Sequence, residues 1–229
     1  MELLTSYFFD LTSFPFRDLF DLEVSPWAIL PKIEKYLKGL KLGKIEGQIS
    51  PSAYLVNPEL ISIGQGSVVE PGAYIQGPCR LGKNCIVRHG AYIRGNFIAG
   101  DGCVIGHDTE VKNSIFLSGV HAAHFAYVGD SILGNKVNLG AGTKCANLKL
   151  DQSPVVIHYQ SQRIPTTLKK LGAILGDGTQ IGCNSVTNPG TLMGQEVRCY
   201  PCTNIGGFIP SRSIVKPDTK MIVTSYNNS

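Results

Sequence analysis

The sequence predicts an all-β chain wound as a left-handed parallel β-helix of hexapeptide repeats, and three regularities carry that prediction. Aliphatic residues recur every sixth position, small residues sit four places after them, and glycine often follows directly. Counting in sixes gives Ile63, Val69, Ile75, Leu81, Val87, Ile93, Ala99, Ile105, Val111 and Leu117. The slot four places on holds Ser67, Ala73, Cys79, Cys85, Ala91, Phe97, Cys103, Thr109 and Ile115, and Gly64, Gly82 and Gly106 stand directly behind anchors. The frame returns at Leu175, Ile181, Thr187, Met193, Cys199 and Ile205, with glycine behind four of them. Such a period is neither that of a helix nor that of a half-buried strand. It suits a short flat strand with one inward aliphatic residue, then a turn. Three units make a triangular coil of about eighteen residues, and coils stack about 4.8 Å apart with parallel strands.

Two segments break the frame and set the organisation. Residues 1–44 carry no hexads. Pro31 followed by Ile33, Leu37 and Leu40 reads as a short amphipathic helix ended by Gly43. Phe8, Phe9, Phe14, Phe16, Phe20 and Trp27 are expected to pack that segment on the first coil, capping the open end. The β-helix then covers 45–215, and 216–229 form a tail. The second break, about 146–170, is too long for a corner and too apolar at Val155, Val156 and Ile157 for a plain linker. It is expected to be a loop or hairpin thrown out from the side, with Arg163, Lys169 and Lys170 near its end.

Composition narrows the function classes. The 229 residues carry 21 Lys plus Arg against 17 Asp plus Glu, a net charge of +4. That balance can welcome phosphates but does not call for a nucleic-acid partner. Only 17% of residues are charged and 26 are glycine, which argues against helical bundles, coiled coils and disorder. No apolar run approaches the ~18 residues that cross a bilayer. The start, MELLTSYFFDLTSFPF, lacks a basic region before its apolar residues, so neither a membrane nor a secretory signal is expected. The seven cysteines, with C-Y-P-C at Cys199 and Cys202 and no second pair, read as free thiols in the cytoplasm.

Chemistry concentrates in residues 121–147, HAAHFAYVGDSILGNKVNLGAGTKCAN, where the frame slips by one between Ala123 and Val128. His124 suits a general base, because an imidazole with a pKa of about 6.5 accepts a proton at neutral pH. The alternative is a structural histidine stacked beside Tyr127. Arg94 and Lys112 each follow an anchor and should stack on adjacent coils. Two cations about 5 Å apart repel unless an anion such as phosphate lies between them, or each is simply solvated. His107, His121 and His124 raise a metal reading, but the ligand pattern is incomplete and no metal is expected. The GAG and GDG runs open no helix and read as coil corners.

HFAYVGD followed by NLGAGT resembles the acetyltransferase domain of the bifunctional glucosamine-1-phosphate acetyltransferase/N-acetylglucosamine-1-phosphate uridylyltransferase family. The likeness runs over about residues 63–210 and is most specific from Arg94 to Asn147. KLGAILGDGTQIGCNSVTNPGTLMG is similar to the archaeal sugar-1-phosphate nucleotidylyltransferases, whose β-helix acetylates amino-sugar phosphates. The resemblance implies His124 as general base and Arg94, Lys112, Tyr127 and Asn138 as sugar-phosphate ligands. It places acetyl-CoA, the implied co-substrate, near Ala141, Asn147 and Cys183, and a backbone N–H of Gly140–Gly142 could meet the oxyanion. Two departures are visible: Asn147-Leu148-Lys149 replaces the family's N-Y-D-G, and Cys183 replaces a CoA-contacting serine. The L-x-A-G-x-G-T-R-M motif of uridylyl transfer does not occur, so that half-reaction is not expected.

The resemblance therefore implies an acetyl-CoA-dependent N-acetyltransferase of cell-envelope sugar metabolism, on the route to UDP-N-acetylglucosamine. Glucosamine 1-phosphate is its foremost acceptor, and the assembly is a homotrimer with sites between prisms. Galactosamine 1-phosphate or a nucleotide-linked amino sugar are the alternatives within the same chemistry. The alternative outside it is a non-catalytic scaffold for a separate nucleotidylyltransferase.

Overall fold

A computed structural model of the chain describes residues 3–218 and residue 224. Most of the expected tail, 216–229, lies outside the described residues. Because each coil returns over the one before it, short strands pair in parallel and sort into three long sheets. Among the described residues, sheet I has nine strands, from Gln48–Ile49 to Ile214–Val215. Sheet II has eight, from Tyr54–Val56 to Asn204–Ile205, and sheet III has eight, from Ile61–Ile63 to Phe208–Ile209. The chain visits I, II and III in turn, so the sheets are the faces of a prism. The anchors Ile63 to Val111 line its interior and are almost wholly buried, as are Leu175, Ile181, Met193 and Ile205.

Small residues make the corners by bonding forward to the next coil. Ser67 Oγ donates to Gly82 O at 2.9 Å, Cys85 Sγ to Gly100 O at 3.2 Å, and Cys103 Sγ to Leu117 O at 2.9 Å. Gly106 is required by close approach, because a Cβ there would fall on the Ala123 carbonyl. All seven cysteines are unpaired, and burial pushes the Cys145 thiol up to about 11.

The frame shortens earlier than the sequence places it. Val111 pairs with Ile93, eighteen positions back, but Phe116 pairs with Ala99, only seventeen back. The missing residue is therefore at the edge from sheet II to sheet III, around Asn113. Phe116, not Leu117, takes the inward position, and Leu117 faces out. The next coil keeps the shorter spacing, with Asp130 at the same edge. Asn113 and Asp130 both adopt left-handed backbone there, at φ 43 and 49, a conformation asparagine and aspartate tolerate better than most residues.

The aromatic part of the N-terminal segment does not cap the first coil, although Lys44 O at its end accepts from Ile63 N at 2.9 Å. Sheet III presents an outward column in register, Ile98, Ile115, Ile132, Ile174, Leu192 and Phe208. Leaving that strip in water would be costly, and residues 3–43 lie along it. Phe8, Phe14, Trp27, Ile29, Ile33 and Leu37 build a second core with it. The contact runs the length of the prism, from Arg80, whose guanidinium lies 5.7 Å from the Phe16 ring, to Ser211, whose N–H donates to Tyr7 Oη at 3.0 Å. Asp177 fastens the segment by accepting from Asp10 N at 2.8 Å and Asn135 N at 2.7 Å. A 3-10 turn, Pro26–Lys32, runs into the α-helix Ile33–Gly39, which ends at Gly39 instead of Gly43. The long loop forms an antiparallel hairpin, Val156–Tyr159 with Gln162–Pro165. It folds back where an outward projection was expected, because Val155 and Ile157 bury in the same second core.

Ile132→Ala, although on the outer surface of the prism, is expected to cost about 3 kcal/mol in urea unfolding, as a buried core truncation does. Burial raises the Asp177 carboxyl above the ordinary carboxylate value. The native state therefore holds that proton more tightly than the unfolded chain. The stability this contributes is full below the unfolded pKa and is lost as pH rises through the native one. Wild type should accordingly gain stability relative to Asp177→Asn as pH falls through the carboxylate range in paired thermal melts.

Candidate functional site

Stacked coils turn single residues into columns, and the predicted site residues other than Asn138 fall into three of them. The first runs along the edge between sheets I and II. Here His107 pairs with His124. Gly142 N donates to His124 O at 3.0 Å, Asn184 N to Ala141 O at 2.8 Å, and Cys202 N to Cys183 O at 2.8 Å. His124, Ala141 and Cys183 thus follow one another along one edge. Below them, His107 Nδ1 donates to His89 O at 2.9 Å, since a carbonyl can only accept, and the two rings stack at 5.6 Å. The exposed His124 ring has no hydrogen bond among the described residues; its ring neighbour is Phe125, at 6.5 Å. Phe125 is half exposed and left-handed, at φ 53. His121 lies round the edge on sheet I, and no cluster of three or more metal-ligating side chains occurs among the described residues.

The second column is the outer surface of sheet II, where Tyr54, Tyr74, Tyr92, Glu110, Tyr127 and Lys144 lie in register. Tyr74 and Tyr92 meet edge to face at 5.1 Å, and the Arg94 guanidinium sits 5.8 Å from the Tyr92 ring. Arg94 Nη1 donates to Glu110 Oε1 at 2.7 Å, a pair that keeps its guanidinium pKa raised and leaves it 43% exposed. Burial, and then the carboxylates of Glu110 and Asp130, push the Tyr127 phenol up.

The third column is the shortened edge between sheets II and III. Lys112 Nζ donates to Asp130 Oδ2 at 2.7 Å, with the two side chains only 16% and 8% exposed. Asn113 Nδ2 donates to Asp130 Oδ1 at 2.8 Å, and Asn147 Nδ2 to Asp130 Oδ2. Tyr127 Oη donates to Asn147 Oδ1 at 3.4 Å. The root of the hairpin closes over this cluster through Leu171 N to Asn147 O at 2.9 Å and Gly172 N to Asp130 O at 2.8 Å.

Arg94 and Lys112 follow paired anchors on adjacent coils, as their spacing requires, but each already has a carboxylate, so no external anion is needed to relieve repulsion between them. Tyr127 bridges from the face to Asn147, which lies at the edge opposite Ala141 and Cys183, so one chain does not bring together the three residues that the resemblance assigns to acetyl-CoA. Asn138 stands apart on sheet I, between His121 and Gln180, so one chain does not bring it to Tyr127. Asp130 and Asn113 are the residues that sequence reasoning missed. The signal was the missing residue at their corner, hidden because both Phe116 and Leu117 are apolar. From His124 to Asp130 is six residues, at most about 20 Å of extended chain. His124 stands at one edge of sheet II, Arg94 and Lys112 at the other, and Tyr127 between them.

Comparison with known proteins agrees with this architecture. Residues 75–223 match the family model of the GMPPB C-terminal domain, and the chain belongs to that family. It is 40% identical over 92 residues to a bifunctional sugar-1-phosphate nucleotidylyltransferase/acetyltransferase of Sulfurisphaera tokodaii, covering 40% of this chain and 23% of that one. It is 36% identical over 203 residues to the bifunctional protein GlmU of Methanococcus maripaludis strain C7, covering 89% of this chain and 48% of that one. The chain thus spans about half or less of these curated relatives. The solved UDP-N-acetylglucosamine acyltransferase of Francisella novicida shares the fold, with a TM-score of 0.56 at 13% identity over 76% of this chain and 63% of that one. The fold is the left-handed parallel β-helix expected from the hexads. Among the described residues no helix is long and apolar enough to cross a membrane.

Breaking the two ion pairs should have unequal effects. Lys112→Met strands a buried carboxylate and is expected to cost about 3 kcal/mol in urea unfolding. Arg94→Met, at an exposed pair, should cost under about 1 kcal/mol.

Proposed function

We propose that this chain transfers the acetyl group of acetyl-CoA to the nitrogen of an amino-sugar 1-phosphate, with glucosamine 1-phosphate as the foremost acceptor. The single observation that carries this reading is the His124–Ala141–Cys183 column beside the open face of Tyr127, with cations at the far edge. An acceptor lying across that face meets a base at one end and Arg94 and Lys112 at the other. Deprotonation of the amine by His124 as it attacks the thioester carbonyl leaves the CoA thiolate to depart with a proton. A donor laid along the edge would pass Cys183 and Ala141 and bring its carbonyl to the Gly140–Gly142 turn. There Gly140 N and Gly142 N already donate to Ile181 O and His124 O, and the Ala141 N–H is left to meet the oxyanion. The name of the Sulfurisphaera tokodaii relative, which joins sugar-1-phosphate nucleotidylyl transfer and acetyl transfer, supports the substrate class.

Assembly belongs to the same proposal. Sheet III is covered by the chain itself, leaving sheets I and II to meet neighbours in a homotrimer. There, Asn138 of sheet I would face Tyr127 of an adjoining subunit. One observation favours a longer acceptor: the tyrosine column continues below Arg94 through Tyr92 and Tyr74, a platform on which the base of a nucleotide-linked amino sugar could stack.

Thiol release from acetyl-CoA, measured with glucosamine 1-phosphate, galactosamine 1-phosphate, a UDP-linked amino sugar or no acceptor, tests both readings. Acceptor-dependent turnover that falls about 10²-fold or more in His124→Ala is the expected result. A trimer that releases no thiol with any acceptor overturns the enzyme reading in favour of a scaffold.

A further inference from the structure

We propose that Asp130 is the positioning residue of this site, holding Lys112 and, through Asn147, the Tyr127 hydroxyl in one fixed arrangement at the edge of sheet II opposite His124. The proposal rests on the functional reading above and adds to it a residue to which no role has been given. Three side-chain donors converge on one buried carboxylate: Lys112 Nζ and Asn147 Nδ2 on Oδ2, and Asn113 Nδ2 on Oδ1. An ionised carboxylate only accepts, so all three contacts are satisfied at once. Through Asn147 the arrangement extends to the Tyr127 hydroxyl, and through the Asp130 and Asn147 carbonyls it reaches Gly172 and Leu171 at the hairpin root.

The corner itself does not require this charge. Left-handed backbone at the shortened edge is accepted by asparagine as readily as by aspartate, and Asn113 fills that role one coil below. The carboxylate answers to the side chains around it. Asp130→Asn keeps the shape and the turn while placing an NH2 against one of the surrounding donors, whichever way the amide points. Lys112 then loses its fixed direction and Asn147 its anchor, although neither has been altered.

The test is a set of double-mutant cycles on the purified full chain. Two quantities are read: the kcat/KM preference for glucosamine 1-phosphate over glucosamine, which reports Lys112, and the KM for glucosamine, which reports Asn147 through Tyr127. Asp130→Asn is expected to change both by about tenfold or more. Its effect on phosphate preference should vanish in a Lys112→Met background, and its effect on the KM for glucosamine should vanish in Asn147→Ala. Fully additive effects in both cycles, or a lower kcat with both quantities unmoved, would overturn the proposal and leave Asp130 a structural residue. A second measurement is independent of turnover. The Asn147 side-chain amide resonances, assigned by their loss in Asn147→Ala, should shift and exchange faster with solvent in Asp130→Asn. If wild type transfers no acetyl group, the functional reading fails while this readout still decides whether Asp130 holds Asn147; unchanged resonances would sink it.

Discussion

Everything in this molecule follows from one constraint, the parallel register between successive coils. A residue's neighbours above and below are the residues one coil earlier and later in the chain, so chemistry chosen once is repeated as a column. Inward aliphatic columns make the core, and the corner hydroxyls and thiols bond forward to the next coil's carbonyls. The same rule makes a tyrosine column on one face and an imidazole column on one edge. A site on such a scaffold is a local exception within a column, and here the exception is one missing residue. Shortening the edge at Asn113 draws Lys112, Asp130 and Asn147 under the hairpin root, where a regular edge would leave them solvated.

The electrostatics of that edge change how its cations are read. Taken alone, two stacked cations call for an anion, and phosphate is the natural one. In the folded chain Glu110 and Asp130 supply the negative charge. The exposed Arg94 pair can be opened to a ligand at little cost, whereas the Lys112 pair is almost dry and fixed by two further donors to its carboxylate. On the proposed reading the two residues would contribute differently to a bound phosphate, one by moving and one by standing in place.

Much of the fold was legible because the hexad reports inward positions directly, and Ile63 through Val111 sit where counting puts them. It says nothing of outward positions. Ile98, Ile132, Ile174 and Leu192 each precede an inward residue, and that second apolar residue per strand was the unread sign that sheet III is covered on its outer side. Without it, the aromatic segment was assigned to an open end. The slip was misplaced because Phe116 and Leu117 satisfy the anchor equally well. His124, Ala141 and Cys183 are singled out by resemblance alone, and the register lines them up along one edge. Asp130 closes the HFAYVGD motif, but its role stays hidden there, since its partners are a whole coil away in either direction and nothing local marks it as buried.

The lengthwise docking of residues 3–43 also orders events in time. Tyr7 is held by Ser211, and Asp10 by Asp177, so its two fastenings join positions separated by 204 and 167 residues. The aromatic-rich segment is made before the coils it covers and cannot settle until the last of them has wound. Long-range closures of this kind are slow, and apolar surface waiting for its partner is prone to associate with other chains. Assembly of the β-helix can proceed coil by coil from local contacts. Completion of the second core, by contrast, needs contacts between residues far apart in the chain, Tyr7 with Ser211 and Asp10 with Asp177.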